Sequence, residues 1–94
     1  MIEIQREDIE IILQEDYVHF EKVIQNCFCG HCSHHLTTII AYKAYLNSLQ
    51  DILLKGQCAR CGHPVNRYLE TGENKNHAAI AQHIQMIIKK YKVI

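Results

Sequence analysis

The stretch LTTIIAYKAYLNSLQDILL, residues 36 to 54, supports two incompatible architectures. Ile39, Tyr42, Leu46, Leu49 and Leu53 recur at steps of three and four, with Gly56 placed to end a helix. Against a helix stand the β-branched run Thr37-Thr38-Ile39-Ile40 and the sheet-favouring Tyr42 and Tyr45. Asn47-Ser48 is a turn dipeptide that would divide the stretch into two strands. Local periodicity leans to helix.

The neighbouring residues lean to strands. Residues 52 to 70, ILLKGQCARCGHPVNRYLE, place β-rich flanks on either side of a Cys-rich turn, which reads as a hairpin. Pro64 stands at the start of the outgoing strand, where its missing amide donor does least damage.

Two cysteine pairs bracket the ambiguous stretch. Cys29 and Cys32 form one C-x2-C, Cys58 and Cys61 form the other, and 25 residues lie between. Two residues between thiolates let both reach one ion from a tight turn, so two such turns present four sulfurs as a tetrahedron. Gly62 directly follows the second pair, where a residue free to take positive φ lets backbone amides face the sulfur.

The pattern C-x2-C … C-x2-C-G leading into a strand resembles the four-cysteine zinc ribbon over residues 27 to 70, with an interval similar to that of ribbons in transcription elongation factors. The resemblance implies a three-stranded antiparallel sheet and one structural Zn2+, with Cys29, Cys32, Cys58 and Cys61 at the ligand positions. It would make residues 36 to 54 mostly strands. The chain departs from the pattern in lacking a Gly after Cys32. It also lacks the acidic dipeptide of the elongation-factor tip, offering only Asp51 in the corresponding region, so that activity is not carried over.

Both flanks read as amphipathic helices. Ile9, Ile12, Leu13, Tyr17, Phe20, Val23 and Ile24 make one apolar stripe over residues 8 to 24, with a break near residues 14 to 16 as the alternative. Ile80, Ile84, Ile87, Ile88 and Tyr91 make another over residues 76 to 92, capped by Asn74 or Asn76 and ending in Lys89, Lys90 and Lys92. The expected whole is one small α+β zinc-binding domain: an N-terminal helix in residues 1–26, the ribbon in 27–70, and a C-terminal helix in 76–92.

Composition fits a metal staple. Ninety-four residues are close to the smallest chain that one apolar core can hold together, and this one has no Trp, two Phe, five Cys and seven His. No apolar run reaches membrane-spanning length and the acidic start is unlike a signal peptide, so a soluble, cytoplasmic chain with reduced thiols is expected. A four-thiolate ion would contribute on the order of 10 kcal/mol to folding and has no open position for hydrolytic chemistry. Gly-rich phosphate loops, H-E-x-x-H and nucleophile-elbow motifs are absent from the sequence.

Further candidates surround the pairs. Cys27 is the odd thiol, either a buried neighbour of the site or an alternative ligand; His31, His34, His35 and His63 are either bystanders or hydrogen-bonding neighbours of the ligands. Cys29-Gly30-His31-Cys32 alone also matches a thiol–disulfide oxidoreductase dithiol, a reading that leaves the second pair without a task.

Charge is segregated. Residues 1 to 26 hold seven acids against two bases, a net of −5, and the rest holds eight bases against three acids, a net of +5. Two non-enzymatic roles follow. Arg60, Arg67 and Tyr68 would contact nucleic acid through phosphates and stacking; alternatively a helix face or ribbon edge would bind a protein, or a second copy as a homodimer.

Overall fold

A computed structural model of the chain describes residues 1–32 and 35–91. Residues 36 to 54 are strands. Leu36–Thr37 forms β3 and Ile39–Leu46 forms β4, followed by a turn and by β5 at Ile52–Cys58. Asn47 makes the turn: its side-chain oxygen accepts from the amides of Leu49 (2.9 Å) and Asp51 (3.0 Å), and Gln50 takes φ +66°.

The helical period in this stretch is the trace of a β-bulge. Ile40 pairs with Gln57 and Lys43 with Lys55, so Ala41 and Tyr42 together oppose the single residue Gly56. Ala41 takes φ +50° at the irregularity. The extra residue shifts the inward phase of β4 by one, so that Ile39 on one side of it and Ala44 and Leu46 on the other are all buried. A strand with such a shift shows a step of three in its apolar pattern. Gly56, expected as a helix C-cap, instead lies within β5, where a Cβ would meet Ile40 O at 2.6 Å and Tyr42 Cβ at 2.8 Å.

β6, Pro64–Leu69, returns antiparallel to β5 in the expected hairpin, with Leu54 opposite Arg67 and Ile52 opposite Leu69. β1, Ile2–Ile4, pairs antiparallel with β4 and makes the sheet four-stranded in the order β1-β4-β5-β6. Residues 1–26 are therefore not wholly helical, and the sheet recruits a strand from outside residues 27 to 70. Three residues are too few to carry a period that sequence reading would detect.

Helix α1, Arg6–Leu13, starts with the Gln5 amide donating to Asp8 Oδ2 at 2.8 Å. It stops at Gln14, which takes φ +54°. A 3-10 segment at Gln14–His19 and a short helix α2 at Phe20–Ile24 follow, which is the broken alternative, and not one helix over residues 8 to 24. The apolar stripe survives the break, since Ile9, Ile12, Leu13 and Phe20 are all buried. Helix α3, Lys75–Tyr91, is capped by Asn74, whose side-chain oxygen accepts from the amides of Asn76 (3.0 Å) and His77 (3.1 Å). Lys92 lies outside the described residues.

The helices cover one face of the sheet. Ile4, Ala44, Leu46, Ile52, Leu54 and Val65 from the strands join Ile9, Ile12, Phe20, Ala81 and Ile84 in a single buried cluster. The far end of the β4–β5 hairpin is tied down by a 3-10 turn at Thr71–Glu73: Thr71 Oγ1 donates to Gln50 O at 2.6 Å, and the Gly72 amide to Asp51 Oδ1 at 2.8 Å. Asp51, the one acid near the tip, thus serves the turn. The near end leads to the cysteines. No described helix is long and apolar enough to cross a membrane.

Candidate metal centre

Two strand pairs deliver the four thiols. β2, Cys27–Phe28, pairs with β3 as a separate two-stranded ribbon, with Cys27 opposite Thr37 and Phe28 opposite Leu36, and its turn carries Cys29 and Cys32. The turn between β5 and β6 carries Cys58 and Cys61. The sulfurs of Cys29, Cys32, Cys58 and Cys61 all lie within 4.8 Å of one another. Cys32 Sγ is 3.3 Å from Cys58 and 3.7 Å from Cys61, and Cys29 Sγ is 3.6 Å from Cys61.

These spacings identify what the cluster can hold. A disulfide requires about 2.05 Å between sulfurs. Four thiolates about 2.3 Å from a tetrahedral ion are separated by roughly 3.8 Å, close to the spacings found here. The donor set therefore fits one four-coordinate metal ion.

The two turns are built alike but not identically. In the second, the Cys58 amide donates to His63 O (2.8 Å) and the Gly62 amide to Cys58 O (2.9 Å), with Gly62 at φ +78°. In the first, the Cys29 amide donates to His35 O (3.1 Å), six residues on where the second turn spans five. The left-handed position here is His35, at φ +58°. The missing Gly after Cys32 thus reflects a longer turn closed by a different residue. Ser33 and His34 lie outside the described residues, and with them the expectation for His34.

The surroundings favour a thiolate at Cys58. Its sulfur is 3.0 Å from Thr37 Oγ1 and accepts from the amides of Arg60 (3.3 Å) and Cys61 (3.4 Å). Burial pushes this thiol up, but the Thr37 hydroxyl and the two amides outweigh it and bring it to about 5. Cys32 goes the other way. Contact with Cys58 and partial burial, together with Cys61 and Cys29, push its thiol up to about 12. Crowded sulfurs repel one another as anions, so a divalent cation is what would allow all four to ionise together.

Cys27 stands apart from the cluster. Fully buried, it directs its sulfur at the last carbonyls of α2, Val23 O at 3.4 Å and Ile24 O at 3.6 Å, and burial pushes its thiol up. Its place is that of a packed neighbour. His31 and His63, one from each turn, stack with ring centroids 3.4 Å apart, a contact that their separation in sequence conceals. His35 stacks on Phe28 at 5.5 Å. His77 is buried and pairs with Asp16 Oδ2 at 3.1 Å, joining α3 to the 3-10 segment.

The residues named for nucleic acid do not converge on one surface. Arg67 pairs with Leu54 and so points to the helix-covered face, whereas Tyr68 pairs with Leu53 and points to the opposite face. Arg60 is in the second turn. Cys29-Gly30-His31-Cys32 is followed by strand β3, not by the helix whose N-terminus would activate a redox dithiol. Comparison with protein-family models, with curated proteins and with solved structures gives no significant match to this chain.

Proposed function

We propose that the chain is a small non-enzymatic zinc domain in which Cys29, Cys32, Cys58 and Cys61 hold one structural Zn2+ and the folded surface serves as an interaction module. The observation that carries this reading is the convergence of four thiols from two separate turns at tetrahedral spacing. When bound, the ion joins the β2–β3 ribbon to the four-stranded sheet and closes its own coordination shell with sulfur. The buried cluster of a chain this small leaves room for such a staple to matter.

A reducing compartment suits a site built from thiols, and the cytoplasm is the location this reading proposes. A zinc-ribbon architecture is supported by the antiparallel hairpins that carry the turns, with β1 as an addition at the edge. A role connected with transcription rests on the resemblance alone.

Metal analysis of protein purified under reducing conditions tests the proposal. One zinc per chain is expected, and its removal by a strong chelator should abolish the cooperative unfolding transition. Absence of metal, or a coloured iron-thiolate site in its place, would defeat the zinc reading.

A further inference from the structure

The helices cover only one face of the sheet, and the other face has a distinct chemistry. Leu53 is 3% exposed yet stands outside the main buried cluster. It points away from the helices, with Tyr45 opposite it on β4 and Tyr68 opposite it on β6. In the next row toward the cysteine turns, Lys43 stands directly opposite Lys55, and Lys55 opposite Asn66.

Like charges directly opposite on antiparallel strands repel, so the lysine pair is unfavourable for the isolated chain. Both lysines are exposed. Lys55 Nζ lies 5.6 Å from the Tyr45 ring centroid, and no acidic side chain among the described residues lies within salt-bridge distance of Lys43 or Lys55. Glu7, Asp8, Glu10, Glu15, Asp16 and Glu21 all belong to the helical layer, which leaves Glu3, at the edge beside Tyr45, as the acid of these two rows. Lys43 and Lys55 thus stand on the face away from the acidic helices α1 and α2, while Lys75, Lys89 and Lys90 belong to α3.

We infer that this open face binds single-stranded nucleic acid, with Tyr45 and Tyr68 as platforms for unpaired bases and Lys43 and Lys55 as phosphate contacts. The two tyrosines are carried on backbones two strand spacings apart, roughly 10 Å, and Tyr68 is 53% exposed. A duplex hides the faces of its bases from such rings; a single strand offers them. An anionic strand also relieves the repulsion between the lysines. This surface gives the interaction-module reading its partner class and rests on that reading.

The test is fluorescence anisotropy of a labelled oligothymidylate of about 12 nucleotides, within the usual span of a small single-strand site, titrated with zinc-loaded full chain over a range of salt. Lys43→Ala with Lys55→Ala should flatten the log–log salt slope by about 1.4, at roughly 0.7 per phosphate contact. Tyr68→Ala should weaken binding about tenfold, with Tyr68→Phe retaining it. Lys22→Ala, on α2, should leave affinity and slope unchanged. Circular dichroism and zinc content establish that each variant is folded.

Equal binding by the sheet-face variants, equal binding of duplex, or no binding by a folded zinc-loaded chain would overturn the inference while leaving the zinc domain standing. A dimer in sedimentation that Tyr68→Ala disperses would also overturn it, giving the face to a second copy. Wild-type protein that holds no zinc would defeat the earlier reading instead.

Discussion

Gly56 is packed against the backbone of Ile40, so closely that a Cβ at position 56 would lie 2.6 Å from the Ile40 carbonyl oxygen. The contact exists because two residues of β4 bulge toward one residue of β5. Gly→Ala in a strand usually stabilises slightly by restricting the unfolded chain. Here the added methyl must displace backbone, so Gly56→Ala is expected to destabilise by about 2 kcal/mol. Urea unfolding of the metal-loaded protein measures it; a variant as stable as the parent would mean that the bulge relaxes freely.

Cys27 and Cys58 are both buried and should nonetheless respond differently to substitution. Cys58→Ser removes a sulfur of the cluster and should bring bound zinc well below one per chain. Cys27→Ala should keep a full equivalent and cost about 1–2 kcal/mol through lost packing. Metal quantification beside thermal unfolding separates the two; zinc loss in the Cys27 variant would return that thiol to the ligand set.

Thr37 is 3% exposed and its hydroxyl lies 3.0 Å from Cys58 Sγ. Groups that hydrogen-bond to metal ligands typically contribute ten- to hundredfold to affinity, so Thr37→Val should weaken zinc binding by about that factor without preventing it. Competition against a chromophoric chelator reads the change. An unaltered affinity would confine Thr37 to packing.

At the opposite end of the hairpin, Asp51→Ala removes the acceptor for the Gly72 amide. A loss of about 1–2 kcal/mol is expected, with zinc content intact. Asn74→Ala should cost about 1 kcal/mol by uncapping α3. Equilibrium unfolding of each variant beside its metal content provides the check, and zinc loss in either would show that the two ends are coupled.

How much of this was visible in the sequence varies with the range of the forces involved. Cysteine spacing is set by the reach of side chains from one turn, which is local, and Cys29, Cys32, Cys58 and Cys61 converge as their spacing suggests. Asn47 is also local, forming its turn with its own neighbours. The bulge is not local. It set Ile39, Tyr42 and Leu46 at helical steps, and only the approach of Gly56 from another strand reveals why. β1 owes its existence to pairing with residues some forty positions away. The left-handed residue of the first turn moved to His35 because that turn is longer, and spacing between cysteines carries no sign of it. Arg67 and Tyr68 are a different case, since adjacent strand residues face opposite ways and a period of two already separates them.

The hairpin of β4 and β5 is fastened at its two ends by unlike chemistry. Beside Ile39 and Cys58 the fastening is the four-sulfur cluster; beside Asn47 and Asp51 it is hydrogen bonds to the Thr71–Glu73 turn. A chelator acts on the first and leaves the second untouched. The molecule should therefore come apart directionally, fraying from the cysteine end while the Asn47 turn still holds, and amide exchange during slow metal withdrawal would record the front as it travels along the strands.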